Sequence, residues 1–456
     1  MSRTWRVPEP VELGPRLLEF VEAYRAHYLE YFIRLFEAQH CPEHRGGYYD
    51  VNSVSGQPYG TGGCYSWSDG RVLGELCASV VAGLEDAARI RPCAEHLSDV
   101  LQERHQLNGY LPHVVSATTN RATDDPMDVD PGHDGASFSH CFAANGLIQH
   151  GLVFGSSDAL RLGRELLAGI ETSLESDRFL AGATPAPKGH QAQGPYMITL
   201  GVLADCIETL DALHGPDSDE FASAARDFLR IGPHLIETVL TYHSRPSDGA
   251  FWEVRCPTGP VRNADGRVVV DPGHAIEFTG FAARFARYLT EPDASRVRNS
   301  VRTILEWVAR AGVHPTEHLL YKNVDRDTGE AIADVHVQNP RGFVSEPVFE
   351  SHFGGRDAPV QIATLPWWAP WELLAAAACL RGGAEDRLDP TIALTVRAIF
   401  KHYPNDVIEG LCLQTTGDGF LSYVDIPPAM PALDLMHVHR PARVFIREMR
   451  GAGAVS

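Results

Sequence analysis

The chain has 456 residues, with 59 acidic against 39 basic side chains and a formal net charge of −20. Because nucleic acids and anionic membranes bind cationic surfaces, neither is an expected partner. Nine cysteines are scattered without a CxxC pair, which disfavours both a disulfide framework and a structural zinc site. The longest apolar run, 373–380, is too short to span a bilayer, and the first residues form no apolar signal segment. We therefore expect a cytoplasmic protein.

Helical periodicity dominates the chain. Apolar residues repeat at helical spacing over 17–39, 71–90, 138–154, 157–174, 197–213, 219–242, 275–289, 293–311, 371–380 and 389–403. Short strand-like segments lie between these helices, at 47–51, 250–255, 319–324 and 419–424. The pattern predicts a mainly helical protein with small hairpins at helix junctions.

One local pattern occurs twice. Asp130-Pro-Gly-His133 is followed by Phe138, and Asp271-Pro-Gly-His274 is followed by Phe278. Repeated helix pairs bury their apolar faces by stacking on their neighbours. Since no linker or low-complexity segment interrupts the chain, we predict a single domain over residues 1–456.

The longest stretch with little helical character is 312–366, which is too long for a simple connection. It is rich in aromatic and acidic residues and leads directly into Trp367 and Trp368. We predict that it forms a lid over a site or a subunit contact. An inert surface excursion is the alternative, because long loops are well tolerated.

The segment Asp271-Pro-Gly-His274-Ala-Ile-Glu277 combines a turn with the start of a helix. Residues three apart share a helix face, so the imidazole of His274 and the carboxylate of Glu277 point the same way. A histidine can take and give a proton near neutral pH, which suits it to acid–base catalysis. The alternative is a histidine that merely caps the helix.

Three further motifs carry residues that are suited to catalysis or ligand binding. Arg71 ends Trp67-Ser-Asp-Gly-Arg71 and begins a helix, where the dipole disfavours a cation, so a functional role is indicated. Trp368 and Glu372 lie four residues apart and therefore share one helix face. This pairing suits a sugar-binding site, and a place in the hydrophobic core is the alternative.

His437 and His439 are separated by one residue. If that segment is extended, the two side chains point to opposite faces and only one of them enters a site. A metal site is disfavoured, because no standard ligand set lies nearby. We accordingly expect neither a metal nor another cofactor.

Taken in order, these motifs resemble those of the N-acylglucosamine 2-epimerase family, which includes cellobiose 2-epimerases and mannose isomerases. The similarity spans roughly residues 15–445 and includes Gly46-Gly-Tyr-Tyr-Asp50 and His439-Arg-Pro441. The resemblance implies an all-α (α/α)6 toroid, with short β-hairpins gathered at one end beside the active site.

The resemblance also implies an isomerase that acts at carbon 2 of an unphosphorylated sugar, as a 2-epimerase or an aldose–ketose isomerase. The catalytic bases would be His274 and His439, with His437 as the alternative to the latter. Substrate-binding roles would fall to Arg71, Glu277, Trp368 and Glu372. Removing the carbon-2 proton gives an enediolate, whose oxyanion a fixed guanidinium stabilises.

The sequence departs from the family on one inner helix, where relatives often carry N-P-H-M-H-x-x-E. The counterpart here is Gly194-Pro-Tyr-Met-Ile198-Thr-Leu-Gly201, so Ile198 and Gly201 replace a histidine and a glutamate. A hydroxyl bound by that histidine would lose its partner. We expect weak or no activity on N-acetylglucosamine and cellobiose, and a preference for another uncharged sugar, unless His190 fills the same space.

Two other functions stay open. Because (α/α)6 toroids also host glycoside hydrolases and lyases, Glu277, Glu346 and Glu372 could furnish a carboxylate pair. A non-catalytic sugar-binding protein is the second alternative. In each case the expected partner is a small-molecule sugar. The sequence does not decide whether the protein forms a homodimer.

Overall fold

The computed structural model describes residues 5–8, 12–39, 46–47, 63–123, 135–181, 188–263, 265–332, 334–339, 342–345, 360–382, 386–412, 416–417 and 435–453. These ranges contain thirteen α-helices. They are α1 (Pro15–Gln39), α2 (Ser66–Val81), α3 (Ala87–Asn108), α4 (Phe138–Phe154), α5 (Ser157–Glu175), α6 (Gly194–His214), α7 (Asp219–Ala224), α8 (Arg226–Tyr242), α9 (Pro272–Phe285), α10 (Asp293–Ala311), α11 (Ala369–Leu380), α12 (Asp389–His402) and α13 (Leu435–Gly453).

Sixteen short strands accompany the helices in the described ranges. They are β1 (Gly63–Tyr65), β2 (Val114–Ser116), β3 (Gln191–Ala192), β4 (Ser244–Arg245), β5 (Ala250–Phe251), β6 (Val254–Cys256), β7 (Gly259–Pro260), β8 (Val269–Val270), β9 (Val324–Asp325), β10 (Asp334–Asn339), β11 (Gly342–Ser345), β12 (Val360–Ile362), β13 (Thr364–Leu365), β14 (Pro404–Asn405), β15 (Leu411–Cys412) and β16 (Thr416–Gly417). All pair antiparallel, in the sheets β1–β2, β3–β6–β7, β4–β5, β8–β9, β11–β10–β12, β13–β16 and β14–β15.

Six helices form a closed inner ring. In order around the ring they are α2, α4, α6, α9, α11 and α13, and α13 packs back against α2. These helices are buried on nearly every face, because each is flanked by two ring helices and covered by an outer helix. The ring therefore encloses the core of the protein.

Six outer helices cover the ring. α3 packs on α2, α5 on α4, α8 on α6, α10 on α9, α12 on α11, and α1 on α13. Outer helices bury a single stripe; in α5, for example, Leu162, Leu166 and Ile170 are buried at intervals of four residues. Inner and outer helices alternate along the chain, with α7 as a short addition. The predicted all-α (α/α)6 toroid is confirmed.

The hairpins lie at the amino-terminal ends of the inner helices. β1 runs directly into α2, β3 leads into α6 and β8 precedes α9. Helix amino termini carry unpaired N–H groups and a partial positive charge, so this end of the ring suits polar ligands. The predicted location of the hairpins at one end is thereby confirmed.

Some predicted helix boundaries are wrong. The segment 71–90 contains a break, since Gly83 adopts a left-handed φ of +67° and Asp86 caps a new helix, α3. The segment 219–242 is interrupted at Ala225, between α7 and α8. The segment carrying His437 and His439 is helix α13 rather than an extended strand.

The predicted lid segment, 312–366, carries five strands, β9 to β13, within its described residues. Its first part packs at the start of α9, because β9 pairs with β8. Residues 346–359, which include Glu346, lie outside the described residues. No helix in the described ranges is long and apolar enough to cross a membrane.

Candidate active site

The amino-terminal ends of α9, α11 and α13 bring two histidines close to one indole. The ring centroid of Trp368 lies 5.9 Å from that of His274 and 5.1 Å from that of His437. Trp368 approaches α9 at Gly273, where a Cβ atom would overlap the indole. The glycine of the Pro-Gly-His motif is therefore needed for Trp368 to reach its position.

His274 lies in the first turn of α9, as the sequence predicts. Asp271 caps the helix, since its Oδ1 accepts a hydrogen bond of 3.2 Å from the backbone N–H of His274. The imidazole is 29% exposed, whereas Asp271 is fully buried. His274 is thus the open member of an otherwise buried group.

The Nδ1 atom of His274 faces two carboxylates. It lies 3.1 Å from Oε2 of Glu253, to which it donates a hydrogen bond, and 3.3 Å from Oδ2 of Asp271. Burial alone would lower the pKa of His274, but the charges of Asp271 and Glu253 outweigh burial and raise it. In the neutral imidazole, Glu253 holds the proton on Nδ1, so Nε2 keeps its lone pair. No described residue bonds to Nε2.

Glu253 was not predicted as a site residue. Its side chain is buried, Oε2 accepts a 3.1 Å hydrogen bond from the amide of Gln193, and Oε1 accepts one of 3.3 Å from the backbone N–H of Asp271. The signal was available in the predicted hairpin at 250–255, where an acidic residue follows Phe251 and Trp252. A buried acid in such a hairpin needs a polar partner.

His437 belongs to a second buried group. Its Nδ1 lies 3.0 Å from Oε1 of Glu372, and Nη2 of Arg440 lies 2.6 Å from the same oxygen and 3.4 Å from Oε1 of Glu277. Burial raises the pKa of both carboxyls, but Arg440 and His437 pull that of Glu372 below its usual range. The pKa of Glu277 stays raised, by burial and by the charge of Glu372.

This second group has the spacing of a metal site. Ligand atoms of Glu277, Glu372 and His437 lie within 4.8 Å of one another, a spacing that a metal ion could use. However, Oε1 of Glu372 already accepts two N–H donors, one from His437 and one from Arg440. The guanidinium therefore supplies the positive charge that the carboxylates require.

The structure places His439 away from His274. It is fully buried; Nδ1 lies 2.7 Å from Oε1 of Glu75, and Nε2 contacts the guanidinium of Arg25. Burial lowers the pKa of His439 to about 4, so the imidazole is neutral. Arg443 binds both oxygens of the same glutamate, at 2.8 and 3.0 Å.

The separation of the two histidines follows from the helix. Residues two apart on an α-helix point about 200° apart, so His437 and His439 occupy opposite faces of α13. The structure brings His437, rather than His439, together with His274, Trp368, Glu277 and Glu372.

Arg71 lies in the second turn of α2, at the same end of the ring. Its guanidinium is buried and lies 4.4 Å from the ring centroid of Trp67 and 4.0 Å from that of Phe142. Two aromatic faces hold the planar cation in a fixed orientation. Such a group is suited to stabilising a developing oxyanion.

The departure on α6 is accommodated by an aromatic ring. A Cβ atom at Gly201 would lie 2.7 Å from Cε2 of Phe281 on α9. The guanidinium of Arg440 covers that ring at 4.7 Å from its centroid. Ile198, three residues before Gly201 on the same face of α6, is buried.

The sequence matches no protein-family model, and no curated protein is detectably similar to it in sequence. Solved structures share its architecture. Cellobiose 2-epimerase from Spirochaeta thermophila superposes with a TM-score of 0.67 and 14% identity, covering 97% of this chain and 99% of that enzyme. A D-mannose isomerase superposes with a TM-score of 0.66 and 14% identity, covering 97% and 100%.

An unsaturated glucuronyl hydrolase from Bacillus sp. GL1 also superposes, with a TM-score of 0.55 and 12% identity over 95% of this chain and 97% of the hydrolase. The chain has the (α/α)6 fold of these enzymes. The resemblance drawn from the motifs is confirmed at the level of the fold. Because the fold hosts both isomerases and hydrolases, the reaction has to be argued from the site.

Proposed function

We propose that this protein is a carbohydrate isomerase of the N-acylglucosamine 2-epimerase family, acting at carbon 2 of an unphosphorylated sugar. The observation that carries the proposal is the pair of imidazoles, His274 and His437, both of which pack against Trp368. The fold shared with a cellobiose 2-epimerase and a mannose isomerase supports it.

The proposed first step is proton abstraction by His274. Its Nε2 takes the proton from carbon 2 of the open-chain sugar, and the bonding electrons pass into the carbonyl group to give an enediolate. Glu253 stabilises the imidazolium that forms, since it already accepts the Nδ1 proton. The fixed cation of Arg71 stabilises the oxyanion.

The second step returns a proton. In a 2-epimerase the proton goes to the opposite face of carbon 2, which calls for a second acid–base group, and we assign that role to His437. In an aldose–ketose isomerase it goes to carbon 1. His437 replaces His439 in the proposal because both ring nitrogens of His439 are engaged by Glu75 and Arg25.

Glu277 and Glu372 act through other residues in this mechanism. Both are buried and bind Arg440, and Glu372 also binds His437. We therefore propose that they orient His437, and that Trp368 covers the C–H surface of the sugar.

A neutral sugar is the proposed substrate class. The cations nearest the two histidines are compensated by carboxylates, since Lys322 binds Asp271 and Arg440 binds Glu277 and Glu372. A carboxylate or phosphate on the substrate would have to displace one of these buried partners. Ile198 further disfavours a substrate hydroxyl beside α6.

Hydrolysis is the second candidate reaction. The pKa of Glu277 is raised and that of Glu372 is lowered, as in an acid–base pair of carboxylates. Each, however, is bonded to Arg440, and Glu372 also to His437. These bonds favour a positioning role over direct contact with a glycosidic oxygen.

The proposal is tested by incubating the protein with free aldoses, ketoses, N-acyl sugars and cellobiose in deuterated water. Deuterium at carbon 2 of the epimer, or at carbon 1 of the ketose, is the expected result for an uncharged sugar other than cellobiose and N-acetylglucosamine. New reducing ends would establish a hydrolase instead. Binding without exchange on any sugar would establish a non-catalytic protein.

A further inference from the structure

Lys322 lies beside the proposed active site, although it belongs to the segment between α10 and β9. Its Nζ donates a hydrogen bond to Oδ2 of Asp271 and lies 5.5 Å from the ring centroid of Trp368. The side chain is 16% exposed. The ammonium group therefore occupies the space between the amino terminus of α9 and the indole.

The backbone fixes Lys322 in this position. Its N–H donates a hydrogen bond of 2.8 Å to the carbonyl oxygen of Thr364, next to α11. The preceding N–H, of Tyr321, donates one of 3.0 Å to the carbonyl of Gly312, and β9 pairs with β8 two residues later. A lysine anchored on both sides keeps its ammonium group close to Asp271.

The charged groups around His274 come from four parts of the chain. Asp271 and Glu277 belong to the cap and the first turns of α9, and Glu253 lies in the connection between β5 and β6. The segment after α10 contributes Lys322, which contacts Asp271, and α13 contributes Arg440, which contacts Glu277. Facing elements add the neutral amide of Gln193 before α6, the indole of Trp368 before α11 and, near that indole, His437 of α13.

We propose that Lys322 is a positioning residue, which binds Asp271 so that His274 pairs with one carboxylate, Glu253, and remains available as a neutral base. Two uncompensated carboxylates beside Nδ1 would hold the imidazole in its protonated form. The ammonium of Lys322 offsets one of them. The role of Lys322 in catalysis rests on the proposed function. Its electrostatic effect on His274 does not.

The direction of the effect follows from the charges. The carboxylates of Asp271 and Glu253 raise the pKa of His274 against the effect of burial, and the ammonium of Lys322 lowers it. Removing the ammonium raises the pKa further, so less neutral imidazole is present at a given pH. Removing the charge of Asp271 has the opposite effect.

The first test measures His274 directly in the ligand-free protein. We expect NMR titration of its imidazole to give a higher pKa in Lys322→Met than in the wild type, a wild-type value in Lys322→Arg and a lower value in Asp271→Asn. The double variant Lys322→Met/Asp271→Asn should return toward the wild type. Lys401→Met, which breaks an exposed lysine–glutamate contact with Glu317, is the matched control.

An unchanged or lower pKa of His274 in Lys322→Met would overturn the inference. Should that variant fail to fold, as judged by thermal melting, Asp271→Asn and the double variant decide the matter. A pKa in Asp271→Asn that equals or exceeds that of the wild type would then be the contrary result.

The second test uses the rate of carbon-2 exchange as a function of pH. In Lys322→Met the acid limb should move to higher pH, so that the rate one pH unit below the new limb is roughly tenfold under its plateau. A merely structural lysine would lower the rate equally at every pH. If the NMR shifts appear but no sugar exchanges, the proposed function fails and the coupling stands. If sugars exchange and the limb stays in place, the inference fails alone.

Discussion

The carboxylate of Glu253 accepts a hydrogen bond of 3.1 Å from Nδ1 of His274, and this bond joins the connection between β5 and β6 to the first turn of α9. It fixes the tautomer of the imidazole and directs Nε2 away from the protein. Because Gln193 and the backbone of Asp271 bind the same carboxylate, the glutamate itself is held in place.

Replacing Glu253 by glutamine should move the acid limb of the pH–rate profile to lower pH. The amide can still accept a hydrogen bond, but without the negative charge the pKa of His274 falls. A weaker base also removes the proton more slowly, so we expect the plateau rate to drop roughly tenfold. Glu165→Gln, at a residue that is 55% exposed on α5, is the control. A limb that moves to higher pH would contradict the assignment of Glu253.

The two histidines of α13 should respond differently to substitution by asparagine. His437→Asn is expected to reduce carbon-2 exchange by roughly 10²-fold, because it removes an acid–base group. His439→Asn is expected to cost about 1–3 kcal/mol of stability, because Glu75 and Arg25 lose a buried partner, while most of the exchange activity is retained. Exchange rates and thermal melting distinguish the outcomes, and the reverse pattern would restore His439 as the second base.

The protein should lose stability as the pH falls below about 6.5. The folded state holds the pKa of His439 at about 4, below the usual histidine value of 6.5, so in this window the unfolded chain binds the proton more strongly. The contribution is fully present above pH 6.5 and is lost by about pH 4, on the order of 3 kcal/mol. Urea titrations at pH 7 and pH 4.5 measure it. His439→Asn should reduce this pH dependence, and an unchanged dependence would argue against a neutral buried imidazole.

Gly273→Ala should displace Trp368. A Cβ atom at this position overlaps the indole, and relieving such overpacking costs about 1–3 kcal/mol. We expect carbon-2 exchange to fall at least tenfold, because both imidazoles pack against this indole and would lose their positions. Gly169→Ala on α5 is the control, since a Cβ there meets no atom within 4 Å and alanine favours the helix. Full activity in Gly273→Ala would remove Trp368 from the mechanism.

Dialysis against a chelator should leave the exchange rate unchanged. Arg440 already compensates Glu277 and Glu372, so catalysis does not call for an ion at these carboxylates. A loss of activity that added Mn²⁺ reverses, and that Glu372→Gln abolishes, would instead establish a metal site at Glu277, Glu372 and His437.

Local signals allowed part of the site to be predicted. The turn before His274 predicts its place in the first turn of α9, because a cap and a proline act within a few residues. The order of the motifs along the sequence, and their resemblance to a known family, predict that Trp368 and Glu372 lie near the start of α9. The toroid likewise follows from repeated helix pairs, which bury their apolar faces by stacking on their neighbours.

Other parts of the site depend on tertiary contacts that no local pattern encodes. Glu253 and Lys322 reach His274 from two different connections, 21 residues before and 48 residues after it in the sequence. Helix α13 was missed because its buried face carries histidine and arginine, whose partners Glu75, Glu277 and Glu372 come from three other helices. Without the helix, the choice between His437 and His439 could not be made.

The most direct test of the central claim is carbon-2 exchange in deuterated water by the wild type and by His274→Asn, on whichever sugar in the panel reacts fastest. The account predicts deuterium at carbon 2 with the wild type and a loss of roughly 10²-fold or more in the variant, with its melting temperature retained. Exchange by His274→Asn at a rate close to that of the wild type would contradict it.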